Sequence, residues 1–340
     1  MKKQIAGLIA TACLAPAAHA QSQIQLYGVV DIAAGRLSTQ APGAPNAAIT
    51  NIDGVHNGGV TTSFFGFRGT EDLGGGLKAN FQLEAFFRAD TGASGRFGPL
   101  PTQDAFFSRV ATVGLQGNWG EVKLGAIANP AWLSLIFSSP FGGNSVVSPA
   151  FRQQFNGSTR GNNPLDTSLP NSIAYTTPSL GGAFATLAVQ AREATPGGSN
   201  LVGNVIWRGG PAMLTAAFEH VRHAPGGTTA LDQDHYLLGG SYDLQVVKLF
   251  AQYARLDNDL ARTQDKMPQL GLTIPVGPGE FQLASARDRT TGAVNRTRTT
   301  TSLGYIHNLS KRTSVYAMLA RDKFAVGTAN TSLVGVRHAF

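Results

Sequence analysis

The chain has 340 residues, a net charge of +7, 14% charged residues, 41 glycines and one cysteine. A lone cysteine excludes a disulfide framework and a zinc-thiolate centre, and the charged fraction lies well below the ~25% of ordinary soluble domains. Basic residues are scattered, not striped, which points away from nucleic acid.

At the amino terminus, Lys2 and Lys3 precede an apolar stretch from Ile5 to Ala18 and an Ala18-His19-Ala20 site. That pattern predicts a secretory signal peptide over residues 1–20 and a mature chain over 21–340. Its removal takes Lys2, Lys3 and Cys13 with it and lowers the net charge from +7 to +5. A lipoprotein acylated at Cys13 is the competing reading, but Ala10-Thr-Ala-Cys13 lacks the usual leucine. No later segment has the 18 or so consecutive apolar residues of a membrane-spanning helix. If the exported chain spans lipid, its strands must close into a barrel, because lipid offers no partner to an open sheet edge.

Strand-like runs follow, separated by two kinds of connection. Short ones fall at 71–76, 117–120, 177–181, 208–211, 243–245, 275–279 and 309–312. Longer polar ones fall near 37–59, 89–104, 127–170, 193–200, 223–233, 256–268, 287–297 and 322–330. Seven short and eight long connections predict sixteen strands, the even count of an all-β, antiparallel transmembrane barrel. From Leu77 to Arg88 the odd set (Leu77, Ala79, Phe81, Leu83, Ala85, Phe87) is apolar and the even set is largely polar. In a barrel the apolar set faces lipid and the polar set lines water. The chain ends on a strand in which Val334, Val336 and Phe340 share one parity.

Several of these stretches carry a specific likeness. Phe65-Gly-Phe-Arg-Gly-Thr-Glu-Asp-Leu-Gly-Gly-Gly-Leu-Lys-Ala-Asn-Phe-Gln-Leu-Glu84 resembles the second hairpin of the Gram-negative general porins of betaproteobacterial type. Leu26-Tyr-Gly-Val-Val-Asp31, Ser108-Arg-Val-Ala-Thr-Val-Gly-Leu115, Tyr242-Asp-Leu-Gln-Val-Val-Lys-Leu-Phe250 and Gly335-Val-Arg-His-Ala-Phe340 match in the same order. The resemblance implies a Gram-negative outer-membrane location, a homotrimer, a sixteen-stranded barrel and a third loop folded into the lumen. It also implies that Phe340 is the signal read by the barrel-assembly machinery. Outer-membrane lipid and lipopolysaccharide are the surroundings it implies, and no cofactor.

The 127–170 connection matches that third loop. Its surroundings from residue 122 to residue 165 contain no Asp or Glu, while Lys123, Arg152 and Arg160 lie inside. Uncompensated cations in a narrow aqueous passage concentrate anions, so the expected function is a general diffusion channel for small hydrophilic solutes with anion preference. Arg152 and Arg160 could instead fasten the loop to the wall, since its backbone needs partners. Arg109 and Arg68 match lumen-facing basic positions of the family, and Arg88 shares the polar face with Lys78. Phe64 and Ala126 stand where related chains carry arginine. Parity set by Leu303 and Tyr305 turns Arg296 and Arg298 inward at the mouth, whereas Arg287 and Arg289 point outward, where they could bind lipopolysaccharide or gather anions.

Other signals carry little chemistry. His220 and His223 differ in parity, so with His235 they do not set up a metal site. Neither Gly-x-Ser-x-Gly nor His-Glu-x-x-His occurs, which weighs against an outer-membrane lipase or protease. A substrate-selective channel, for organic acids for instance, and a non-conducting adhesin or structural barrel stay open from sequence alone.

Overall fold

The computed structural model describes residues 23–40, 48–96, 104–144, 146–155, 165–224 and 228–340. The expected leader over 1–20 and Arg160 lie outside them. Strands β1 Gln23–Gln40, β2 Ile49–Asn57, β3 Phe64–Gly74, β4 Leu77–Phe86, β5 Val110–Gly117 and β6 Gly120–Ala128 come first. A long connection then carries α1 Pro130–Phe137 and α2 Pro149–Gln154. The remaining strands are β7 Ser168–Thr176, β8 Ala183–Gln190, β9 Asn200–Gly209, β10 Ala212–His223, β11 Ala230–Asp243 and β12 Lys248–Asn258. They continue as β13 Thr263–Val276, β14 Gly279–Gly292, β15 Arg296–Asn308, β16 Thr313–Lys323 and β17 Thr328–Ala339.

All pairings are antiparallel, and β17 returns to β1 in a register running from Val29↔Ala339 to Arg36↔Ser332. The last residue completes the seam: the N–H groups of Gly28 and Phe340 donate to each other's carbonyl oxygens at 3.2 and 3.1 Å. The Phe340 ring lies so close over Gly28 that a Cβ there would stand 2.6 Å from it. The seventeen described strands make sixteen staves. β2 pairs with residues 32–40 of β1 and β3 with residues 23–29, so the two form one stave broken at 58–63. The barrel is closed with the expected strand number, and the break was not foreseen.

Each short connection is a tight turn at the end that holds Gln23 and Phe340. Gly74, Gly75 and Gly76 carry the reversal between β3 and β4 at φ of 84°, 62° and 80°, which side chains rarely adopt. Most of the long connections are shorter than sequence suggests, the one between β4 and β5 being longer. β11, β13 and β14 each run 14 residues, against the ~9–11 that cross a bilayer, so they continue as paired strands above the lipid. Polar composition marks where a strand leaves lipid, not where its hydrogen-bond ladder ends.

Alternation sets the two faces. Leu238, Leu270, Leu303 and Val334 are strongly exposed on the outside, while the inward neighbour of Leu270, Gln269, is 2% exposed. That contrast is inverted relative to a soluble protein: the apolar face meets lipid and the polar face is covered from within. The cover is the 129–167 connection. α1 packs on β8 to β11 and α2 on β13 to β15, and a buried cluster containing Leu135, Phe151, Phe155, Leu237, Leu256 and Met267 joins loop to wall.

Candidate functional site

The inward loop is held by the polar face that alternation turned toward it. Asn129 caps α1, accepting from the Ala131 N–H at 2.8 Å, and its amide donates to Glu219 at 2.7 Å. Pro130 at the first helical position supplies a fixed φ where no N–H is needed. Asn204 donates to the Pro130 carbonyl at 2.8 Å, Thr215 to the Ser134 hydroxyl at 2.8 Å, and the Ala150 N–H to Gln269 at 2.9 Å. Where the loop crosses closest, the wall carries no side chain. A Cβ on Gly239 would lie 2.6 Å from Ser138, and one on Gly271 2.7 Å from Pro140. Small residues there seat the loop flush against the strands.

The strongest anchor is electrostatic. Asp322 of β16, itself 1% exposed, accepts from Arg152 at 3.0 and 3.1 Å and from Arg298 at 2.9 and 2.5 Å. Thr300 donates to the same carboxylate at 3.0 Å, and Arg298 also reaches the Arg152 carbonyl at 2.6 Å. Arg152 and Arg298 are therefore turned inward but buried at 4% and 7% exposure, fastening α2 to the wall.

Opposite the loop, residues 58–63 leave the broken stave and enter the lumen. Asp31, fully buried, accepts the N–H groups of Gly59, Val60 and Thr61 at 3.1, 3.0 and 2.6 Å, and the Tyr316 hydroxyl donates to it as well. The Asn144 amide of the long loop donates to the Gly58 carbonyl at 3.2 Å, tying the two inward segments together.

Between them lies a lumenal space of about 550 Å³, bordered by Thr61, Arg96, Arg109, Trp132, Phe141 and Arg337 among others. Arg109 sits on its wall across from α1 and forms an ion pair with Glu84, its guanidinium 4.0 Å over the Phe64 ring. The Arg109 side chain is 24% exposed and that of Glu84 only 2%, so the pair presents its positive end to water. Phe64 supports Arg109 by a cation–π contact. Arg337, turned inward at the register position of Asp31, donates to Thr61 at 3.1 Å and has no ion-pair partner among the described residues. Glu280 is the acidic group bordering the same space.

The other expected residues spread along the wall. Arg68 lies midway along β3, bonded to Gln25 at 2.9 and 2.7 Å and 4.8 Å over Tyr27. Lys123 on β6 is paired with Glu121 at 3.0 Å. Arg88 stands just past β4, half-buried. Arg296 donates to Thr290 at 3.1 Å at the rim. His220 pairs with Asp234, His235 with Glu219, and His223 with the Gly198 carbonyl, so the three histidines do not converge.

Three residues outside the sequence reading, Arg96, Asp104 and Asp166, complete the outer approach. Arg96, from the β4–β5 connection, reaches Asp104 at 2.8 Å and Asp166 at 2.5 Å, joining that connection to the long loop. Burial alone would raise the Asp166 carboxyl, but the hydrogen bonds and charge of Arg96 outweigh it and hold the group below the ordinary carboxylate range. A depressed carboxylate contributes stability above its unfolded pKa and loses it as pH falls through the folded one. Channel noise in planar bilayers is expected to stay flat on acidification to about pH 4 and to rise below it. A rise of equal size in Asp166→Asn would refute the assignment.

A profile of the Gram-negative porin family matches residues 6–325. Outer membrane porin protein 32 of Delftia acidovorans is 34% identical over 375 aligned positions, covering 100% of both chains. An outer membrane porin protein of Bordetella pertussis is 30% identical over 407, again covering 100% of both. Among solved structures, an anion-selective porin from Comamonas acidovorans superimposes with a TM-score of 0.78 at 30% identity, over 94% of this chain and 100% of that one. With the closed barrel, its lipid-facing alternation and its inward loop already in place, these likenesses leave one conclusion: the chain belongs to the Gram-negative porin family and is a channel barrel of the outer membrane.

Proposed function

We propose that the protein is a trimeric, anion-preferring general diffusion channel that passes small anionic and neutral hydrophilic solutes without chemical change, and has no enzymatic role. The carrying observation is the asymmetry of the passage: Arg337 has no carboxylate partner among the described residues, Arg109 is more exposed than its partner, and the crossing loop has no acid before Asp166, which is paired with Arg96. The anion-selective relative, at 30% identity, supports the same sign. A trimer form of OmpT from Vibrio cholerae shares the fold, which supports the assembly. Residues 1–20 act as an export signal, and lipid surrounds the apolar wall of 21–340.

A unit charge about 5 Å from a passing ion contributes roughly 1 to 3 kcal/mol at an effective dielectric of about 80 to 20. Reversal potentials in a potassium chloride gradient should therefore have the sign of chloride preference, and Arg337→Glu should move them severalfold toward potassium. Arg192→Glu, on an exposed outer connection, should have little effect. Equal shifts at the two positions would mean that net charge sets selectivity.

Phe340 serves as the residue that the assembly machinery engages, and its seam contacts with Gly28 support that role. Deleting it is expected to lower the heat-modifiable trimer in the outer membrane and to leave chain in the periplasm. Assembly at the normal rate and level would show that it is only a lipid-facing ring.

A further inference from the structure

Beneath α1, at the end of the barrel that holds the short turns, the lumen opens into a recess of about 730 Å³ bordered by Phe137, Arg208, Pro211, Met213, Asp243 and Lys248 among others. Alternation decides which side chains enter it. Asn204 and Ile206 of β9 are buried inward, Asn204 bonding α1, and Arg208 shares their parity. Lys248 shares the inward parity of Phe250 and Gln252 on β12, and Asp243 that of Gly239 and Ser241 on β11.

Arg208 is held in the recess by rings. Its guanidinium carbon lies 4.6 Å from the ring centre of Phe137, on the loop, and 5.8 Å from that of Phe184, on β8. Face contacts of this kind fix the guanidinium plane and leave its in-plane N–H donors turned to water. Among the described residues this exposed side chain makes no hydrogen bond or ion pair. Elsewhere in the lumen Arg109, Lys123, Arg152 and Arg298 each meet a carboxylate. Lys248, 5.2 Å from the Phe250 ring centre, has no ion-pair partner either. Its register partner Asp243 accepts the Gln245 N–H at 2.8 Å within the turn. The carbonyl end of α1 is already bonded: the Ser138 hydroxyl donates to Ser134 at 2.8 Å, and the Ser138 and Ser139 N–H groups to Leu135 and Ile136 at 3.2 and 3.4 Å.

We propose that this recess is a binding site for aromatic monocarboxylates on the inner side of the constriction. A carboxylate meets the edge of the Arg208 guanidinium through two parallel hydrogen bonds, and the aryl ring it carries packs along Phe137 and against the Met213 thioether. Because rings already hold the guanidinium, little side-chain freedom is lost on binding. Two cations against one carboxylate leave one positive charge over, which suits a monoanion. The short turns make this end periplasmic, so the recess receives solutes after they have passed Arg109 and Arg337. The proposal rests on the channel reading and names a solute class for it.

Saturation-transfer difference NMR on detergent-solubilised trimers tests it, with benzoate, acetate and benzyl alcohol titrated at constant ionic strength. Benzoate should saturate at a lower concentration than either other probe, since acetate lacks the ring and benzyl alcohol lacks the charge. Arg208→Gln should weaken benzoate binding about tenfold, the loss expected for charge-assisted hydrogen bonds. Arg208→Lys keeps the charge but not the planar fork and should weaken it severalfold. Lys78→Gln removes another exposed cation from the short-turn end, on β4, and should leave benzoate affinity unchanged. Heat-modifiable mobility and bilayer conductance establish that each variant is intact. The reversal potential of the parent in potassium chloride, read without any aromatic solute, tests the channel reading separately. Equal affinity for acetate or benzyl alcohol, an unchanged benzoate affinity in both Arg208 variants, or an equal loss in Lys78→Gln would each overturn the proposal.

Discussion

Replacing Asp322 by alanine is expected to release the long loop from the wall and to raise single-channel conductance together with open-channel noise. The carboxylate is the shared acceptor for Arg152 and Arg298 and also takes the Thr300 hydroxyl. Its loss would leave two guanidiniums buried side by side. Removing one partner of a buried ion pair costs about 3 to 5 kcal/mol, more than α2 gains from any single hydrogen bond at ~1 kcal/mol. The cheapest relief is for α2 to lift away, carrying Arg152 into water. The apolar replacement Arg152→Met/Arg298→Met/Asp322→Leu should restore parental conductance, because packing can substitute for a complete buried triad but not for half of one. Unchanged conductance in Asp322→Ala would show that the remaining wall contacts suffice.

The opposite displacement is expected from Gly271→Leu. The loop rests on this glycine, with room for no Cβ beside Pro140, and the strand backbone behind it is fixed by its ladder. Overpacking of this kind costs about 1 to 3 kcal/mol, so the barrel should still assemble. The loop, tethered at Asp322 and at its α1 cap, can only move toward the lumen. Conductance should fall, and larger neutral sugars should be excluded first in liposome swelling. A conductance equal to that of the parent would mean that the seat is deformable.

These two tests address residues whose importance came from structure. The sequence made the strand count, the short turns and the inward parity of Arg298 readable, because alternation and turn chemistry are local. It made the crossing loop visible by its length and by the absence of acids from residue 122 to residue 165. What it could not show was pairing at a distance: Arg152 and Asp322 are 170 residues apart, so an arginine expected to face the passage is held instead against the wall. The same holds for Arg109, whose partner Glu84 lies on the polar face of β4 and could be placed inward but not matched to it. The break at 58–63 left no periodic trace, since six small or polar residues read as a connection. Glycines 239 and 271 read as ordinary strand glycines until the loop lay on them.

The cradle around Asp31 bears on how long a permeating ion stays. Three successive backbone N–H groups converging on one point make a concave anion trap, and an empty one beside the passage would hold a phosphate or carboxylate instead of releasing it. Here the chain supplies its own carboxylate, tethered and fully buried. The trap is permanently plugged, and traffic meets only the half-exposed guanidinium of Arg337 beside it. A conduit works only if its attractive points are weak enough to leave; self-occupation of the deepest one favours short dwell times over capture.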